Sequence, residues 1–437
     1  MITISTQTKR KLTSIIKQMN HSIEDFVKNP GKDFSRNRKL SFETVITLLL
    51  SMNGNNLSKE LLDYFNYDMT TASSSAFVQQ RAKLAPHALE YLFKTFTDSY
   101  KQLKTFSGYR LLAVDGSKLN IAHNPNDFDS YIKSSEHARG YNLLHLNALY
   151  DLSNKLYLDA QIQPVRKQNE TGALIEMVDR SPLLEEVILV ADRGYESYNV
   201  FAHLEEKGWK YVIRVKHNSR RSIVSTLNKP STDEYDESFN LTLTRKQTKE
   251  IKSNPQIYKF LPTNARFDYF EINDCLFYDL SFRVVRFKLT EDTYETIITN
   301  LDKEEFSLER LKELYHRRWG IETSFRELKY AIGLVNFHAK KMDYIVQEIF
   351  AKLTMYNFCE MITLNVMISQ NKPKHKYQVN FTAAIHICRH YFRCRDNEIL
   401  PDIERLIQQY ILPIRKGRQD KRKIRYKSTV PFNYRVS

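Results

Sequence analysis

The stretch Tyr315-His316-Arg317-Arg318-Trp319-Gly320-Ile321-Glu322-Thr323-Ser324-Phe325-Arg326-Glu327-Leu328-Lys329 limits most tightly what this chain can fold into. Read as one helix at about 100° per residue, it gathers Tyr315, Arg318, Glu322 and Lys329 within an arc of roughly 60°. Beside that arc runs an apolar stripe of Leu314, Ile321, Phe325, Leu328 and Ile332, which predicts a helix seated on a core. A polar quartet bordering a buried stripe belongs at the edge of a cleft. One carboxylate then stands between two cations and a phenol, groups able to hold a divalent metal and a phosphodiester together.

Helical spacing dominates the first hundred residues. Apolar positions recur in Leu12-Ile15-Ile16-Met19 and in Phe42-Val45-Ile46-Leu49. A short helix is expected over residues 58–65, and Ser74-Ser75 are placed to cap another over 76–84. Carrying Gln79, Gln80, Arg81 and Lys83, this helix–turn–helix could touch base edges and phosphates. Helices that merely pack on one another would show the same pattern.

From Tyr109 the periodicity changes. Tyr109-Arg110-Leu111-Leu112-Ala113-Val114 reads as an apolar strand running into Asp115-Gly116-Ser117, with strands to follow over 142–150 and 156–164. A helix over 171–179, capped near Asn169, leads to the buried-strand run Val187-Ile188-Leu189-Val190-Ala191 and then Asp192-Arg193-Gly194-Tyr195. A helix over 197–207 and a strand over 211–215 complete the set. Each acid stands where a strand is expected to stop, with a glycine close by that lets the backbone turn. Residues 219–300 read mostly as strands, over 239–243, 267–272, 276–287 and 293–299. Beyond the opening stretch come a long amphipathic helix over 344–366, a polar linker over 367–378 and a helix over 383–392. His386, Cys388, His390 and Cys394 match no common zinc spacing and read better as part of a half-buried helix.

Charge narrows the partner. The chain carries 66 Lys+Arg against 51 Asp+Glu, a net +15, and a polyanion, most often nucleic acid, is the expected counterpart. Residues 415–427 hold eight basic residues and one acid, as sequence-independent phosphate-binding tails do. Four cysteines in 437 residues suit a reducing compartment. Residues 1–12 lack an apolar signal region, and the longest apolar-rich run, 45–50, is far too short to span a bilayer. A cytoplasmic protein without a membrane partner is expected, and few Gly with many Lys, Asn, Ile and Tyr suit an AT-rich bacterial genome.

The spacing Tyr-x2-Arg-x3-Glu-x6-Lys over Tyr315, Arg318, Glu322 and Lys329 resembles the signature of the insertion-sequence-4 group of DDE transposases. Val114-Asp115-Gly116-Ser117 and Ala191-Asp192-Arg193-Gly194-Tyr195 are similar to the group's first and second catalytic blocks, and residues 76–84 resemble part of its N-terminal region. The resemblance covers residues 40–365. It implies an α/β fold with a ribonuclease-H-like mixed sheet as catalytic core, in two parts, 105–218 and 301–366. Around the core it implies an N-terminal helical DNA-binding domain (1–100), a β-rich insertion (219–300) and a helical C-terminal region with a basic tail (367–437). In such a fold Asp115 and Asp192 lie on adjacent strands.

The resemblance further implies that Asp115, Asp192 and Glu322 are the catalytic and metal-binding acids. Two Mg²⁺ ions about 3.5–4 Å apart, with Mn²⁺ as a substitute, would be bridged by Asp115 and held one each by Asp192 and Glu322. Tyr315, Arg318 and Lys329 would bind phosphates of the transposon end, with Arg193 as a further phosphate contact and Trp319 as either a base-stacking or a core residue. The implied activity is cleavage at terminal inverted repeats and transfer of the 3′ ends into double-stranded target DNA, by a homodimer acting on the bacterial nucleoid. A transposase-derived DNA-binding protein without catalysis is the alternative, against which three intact acids speak. A metal-dependent nuclease that does not join ends would use the same site.

Overall fold

In the computed structural model, residues 3–100, 103–133, 135–137, 139–217, 222–270, 276–291, 293–366, 376–394 and 400–414 are described. The basic run 415–427, Cys275 and most of the expected linker lie outside them. Five helices come first: α1 (Ile4–His21), α2 (Phe42–Ser51), α3 (Leu57–Tyr64), α4 (Ser74–Arg81) and α5 (Ala88–Asp98). The first four start where a side-chain oxygen of Thr3, Ser41, Asn56 or Ser73 accepts an N–H three residues on. In α4 the cap is Ser73, one residue before the expected pair. Leu12, Ile15, Ile16 and Met19 of α1 and Phe42, Val45, Ile46 and Leu49 of α2 are buried, as their spacing predicts. Gln80 and Arg81 of α4 are buried too, which leaves Gln79 as the outward member of that set, with Lys83 half-buried just past the end of the helix.

The sheet begins with β1 (Arg110–Ile121), β2 (Tyr131–Ile132), β3 (Tyr141–Asp151) and β4 (Leu156–Pro164), then α6 (Glu170–Asp179), β5 (Val187–Ala191), α7 (Tyr198–Glu206) and β6 (Lys210–Arg214). β1 lies at the centre, antiparallel to β3 and parallel to β5, with β4 outside β3 and β6 outside β5. The order β4-β3-β1-β5-β6, with only the first three strands antiparallel, is that of a ribonuclease-H-like core. Every residue of β5 is buried, as a strand covered on both faces requires. β1 runs past its expected end at Val114 because β3 continues to pair with it, from Asp115↔Ala148 to Ile121↔Asn142. Asp115 is therefore inside a strand, at the level where β5 stops.

The β-rich insertion continues this sheet. It supplies β7 (Tyr235–Thr244), α8 (Lys249–Ser253), β8 (Tyr258–Phe260), β9 (Phe277–Thr290) and β10 (Thr293–Thr299), and β10 pairs with β6, β9 with β10, β7 with β9 and β8 with β7. Residues 267–270, expected as part of a strand, form a turn instead, and 271–272 lie outside the described residues. Their aromatic alternation comes from Phe267 packing on Tyr269, Phe270 and Tyr278, while the Asp268 N–H is taken by the Asn199 side chain of α7.

The opening stretch forms two helices, α9 (Leu308–Arg317) and α10 (Trp319–Tyr330), not one. At the joint, Arg318 N–H bonds Tyr315 C=O and Ile321 N–H bonds Arg318 C=O, three residues apart in each case, so the chain tightens by one turn. Leu314, Ile321, Phe325, Leu328 and Ile332 are all buried. α11 (Met342–Thr363) follows, and its expected amphipathic pattern does not hold, since Gln347, Glu348, Lys352, Asn357 and Glu360 are buried with its apolar residues. The helix runs between the N-terminal helices and β4, so it has almost no solvent face. Asn357 is satisfied internally: its Oδ1 accepts the Tyr157 N–H of β4 at 2.9 Å and its Nδ2 donates to the Tyr157 carbonyl at 2.8 Å, whereas Gln347 Nε2 is buried without a partner. A β11 (Lys376–Val379), α12 (Phe381–Arg393), α13 (Ile403–Gln409), β12 (Ile411–Ile414) unit ends the described chain, with β11 paired to β12. Among the described residues no helix is long and apolar enough to cross a membrane.

Candidate active site

The parallel pairing of β1 and β5 ends at Val114↔Ala191. Asp115 and Asp192 are the next residue of each chain segment, so two carboxylates leave neighbouring backbones at one level, about 4.8 Å apart. Burial pushes the Asp115 carboxyl up to about 6; the Gly116 N–H and Arg318 oppose the rise, while Glu322 and Asp192 add to it. Burial also raises Asp192, but the Arg193 N–H, Arg214 and Arg318 together outweigh it and hold that carboxyl below its ordinary value.

α10 brings in Glu322. The helix is seated by its apolar stripe, by a 2.8 Å hydrogen bond between Ser324 and the Tyr157 hydroxyl of β4, and by Gly320, where a Cβ would come within 2.9 Å of Leu152. Arg318 Nη2 donates to Glu322 Oε1 at 2.8 Å. This guanidinium is buried, not turned outward, and lies against the rings of Tyr315 and Trp319. The Tyr315 hydroxyl is buried without a hydrogen-bond partner, and burial pushes it up to about 12. Lys329 Nζ reaches the Lys118 carbonyl at 2.9 Å, Arg193 is exposed just past Asp192, and Trp319 is 54% exposed, which excludes the core reading of that residue.

Three further groups went unmarked in the sequence. Arg214, at the end of β6, bonds Asp192 Oδ1 at 3.0 Å and Glu295 Oε1 of β10 at 2.9 Å. Glu170 begins α6, and His145 of β3 points its Nε2 to within 3.1 Å of Glu170 Oε1. Their signals were present: a cation closing the strand beside β5, an acid directly after a helix cap, and a histidine within the apolar run Leu144-His145-Leu146.

The donor set suits a hard divalent cation. Asp115 Oδ1 accepts the Gly116 N–H at 2.8 Å, Asp192 Oδ1 is held by Arg214 and the Arg193 N–H, and Glu322 Oε1 by Arg318. Among the described residues, the second oxygen of each acid makes no hydrogen bond, so each has an acceptor left for a metal or its water. Arg214 thereby orients Asp192, and Arg318 orients Glu322. Among the described residues no three His, Cys, Asp or Glu side chains are drawn together around one ion position.

Residues 106–358 match the Transposase DDE domain family. Among solved structures the chain is similar to a piggyBac transposase synaptic complex with hairpin DNA, determined by cryo-EM, at a TM-score of 0.45 and 11% identity over 91% of this chain and 78% of that one. No curated protein matches the chain.

Proposed function

The chain belongs to the transposases with a DDE domain, a family that acts on DNA as polynucleotidyl transferases with divalent metal ions, and we propose that it is a cut-and-paste enzyme of the insertion-sequence-4 type. It cleaves at the terminal inverted repeats of its element and transfers the 3′ ends into target DNA. Asp115, Asp192 and Glu322 are its catalytic acids and hold two Mg²⁺ ions, with Mn²⁺ as a substitute, which supply Lewis acidity at the scissile phosphodiester.

The observation that carries this reading is the register of β1 and β5, which sets Asp115 and Asp192 one step beyond the paired residues Val114 and Ala191. Arg318 and Arg214 offset the negative charge that three acids and a phosphodiester bring together. Tyr315 and Lys329 bind phosphates of the transposon end, Arg193 adds a further phosphate contact, and Trp319 stacks on a base. The helices of 1–100 and the inserted strands of 219–300 extend the contact along the repeat, and the basic tail adds sequence-independent affinity. Two ends must be cut in concert, so a homodimer is the working form in the synaptic complex. The bacterial nucleoid is the setting that this reading implies.

The test uses purified protein, a labelled duplex carrying the element's terminal repeat, and Mg²⁺. Wild type is expected to cut at the repeat boundary, and Glu322→Gln to bind the duplex without cutting it. Joined 3′ products identify a transposase, and their absence a nuclease. A wild-type protein that binds the repeat yet leaves it whole in both Mg²⁺ and Mn²⁺ overturns the enzymatic reading in favour of a DNA-binding protein.

A further inference from the structure

Behind Asp115 and Asp192 stands a fourth carboxylate. Glu170 opens α6, whose cap Asn169 accepts the Gly172 N–H. Its Oε1 takes Gln168 Nε2 at 2.9 Å and lies 3.1 Å from His145 Nε2. Its Oε2, like the second oxygens of the other three acids, makes no hydrogen bond among the described residues.

Two glycines make room for this carboxylate. A Cβ on Gly116 would stand 3.2 Å from Glu170 Oε1, and one on Gly194 would stand 3.3 Å from Oε2. Gly116 follows Asp115, and Gly194 lies two residues after Asp192. One carboxylate thus leans against both segments that carry the paired acids. Beside it is a buried hydroxyl with no protein partner. The Tyr195 hydroxyl is buried and unbonded, and it lies in the field of Asp115, Glu170 and Asp192. Both ring nitrogens of His145 are buried without an aligned hydrogen bond. Buried polar atoms normally find partners. An unbonded buried hydroxyl beside one half-exposed carboxylate marks a place built to face a polar ligand.

We propose that Glu170 is a fourth carboxylate of the metal site, presenting Oε2 to the divalent ions bound by Asp115 and Asp192, with His145 behind it as a positioning residue. The proposal rests on the metal-dependent reading given above. The chemistry is consistent: hard divalent cations take oxygen ligands, and carboxylates that orient metal ligands or bound waters alter affinity about 10–100-fold when removed. His145 has a defined part in this. It fills the space over Gly116, where a Cβ would come within 2.2 Å of Nε2, and its Nε2 stands 3.1 Å from Glu170 Oε1, which fixes that oxygen and leaves Oε2 to turn towards a ligand.

The test measures Mn²⁺ binding to the full-length protein by electron paramagnetic resonance of the free ion, for wild type, Asp115→Asn, Glu170→Gln and Glu170→Asp. Metal-free melting of each variant serves as the folding control, and Glu170→Asp keeps a carboxylate at the start of α6 if the glutamine variant fails to fold. Asp115→Asn is expected to abolish binding and both Glu170 variants to weaken it about tenfold. Wild-type Mn²⁺ affinity in the folded Glu170 variants, with binding lost in Asp115→Asn, overturns the fourth-carboxylate proposal and leaves the three-acid site standing. Unchanged binding in Asp115→Asn as well overturns both.

Discussion

Arg318 and Glu322 are joined across the break between α9 and α10 by a single 2.8 Å hydrogen bond, Nη2 to Oε1. The two ends of this pair differ. The Arg318 side chain is 3% exposed and that of Glu322 40%. The guanidinium is boxed in by the rings of Tyr315 and Trp319, whose centres lie 5.8 and 5.2 Å away, while the carboxylate is open to solvent. Arg318 also acts on Asp115 and Asp192. One cation that cannot lose its proton therefore serves as a shared counter-charge for three acids.

Replacing Arg318 separates charge from shape. Arg318→Lys keeps the charge but loses the planar fork, and is expected to cut repeat DNA about tenfold more slowly. Arg318→Gln removes the cation, is expected to be slower still, and should lower stability to urea by about 1–3 kcal/mol. Cleavage by Arg318→Gln at the wild-type rate would sink the counter-charge role.

Much of this arrangement was legible in the residues. β1 and β5 were marked by apolar runs, and the buried stripe Ile321-Phe325-Leu328-Ile332 announced which way α10 faces. Two features could not be read. The helical wheel for 315–329 assumed unbroken 3.6-residue turns, whereas Arg318 sits in a tighter turn selected by tertiary contacts. Asp115-Gly116 has the composition of a turn, yet β3 supplies a partner on the far side and the strand continues. Arg214 and Glu170 were passed over for a related reason: their partners, Asp192 and His145, are distant in sequence, and only the sheet brings them close.

Asp115 makes the stability of the metal-free protein depend on pH. Its folded value, about 6, is above the ordinary aspartate value of 3.8. A raised acid favours folding below the unfolded value, and that advantage is lost as pH climbs through about 6. Asp115→Asn, which carries no charge, should therefore be more stable than wild type at pH 7.5, by up to about 3 kcal/mol. The two proteins should converge below about pH 4. Equal urea midpoints at pH 7.5 in chelator would refute the burial of this charge.

Gly116 needs no unusual backbone angle; its value lies in the absent side chain. A Cβ there would meet the His145 ring at 2.2 Å, and that ring is buried within β3. Gly116→Ala should lower stability by about 1–3 kcal/mol through overpacking. Because the displaced ring lies against Glu170, Mn²⁺ binding should weaken as well. A substitution that leaves both the melting temperature and Mn²⁺ binding unchanged would show that the strands yield easily at this point.

Arg81 allows a test of what the N-terminal helices do. Its position in α4 suggested contact with bases or phosphates, but its Nη1 donates to Glu348 Oε1 at 2.7 Å and its Nε to Gln347 Oε1 at 3.1 Å, both on the buried helix α11. Burial raises the Glu348 carboxyl, yet Arg81, His338 and Lys352 prevail and lower it to about 2. A depressed acid stabilises the fold above its unfolded value, about 4.3, and that contribution is lost as pH falls towards 2. Arg81→Met leaves Glu348 a buried charge without its main partner, and should cost about 3–5 kcal/mol at pH 7 by urea denaturation. The double variant Arg81→Met, Glu348→Met removes both charges and should recover most of the loss. DNA affinity gives the opposing check: loss of a phosphate contact with Arg81 would reduce the salt dependence of binding by about one unit of slope, whereas replacing a residue that ties α4 to α11 should leave the slope of the folded variant unchanged.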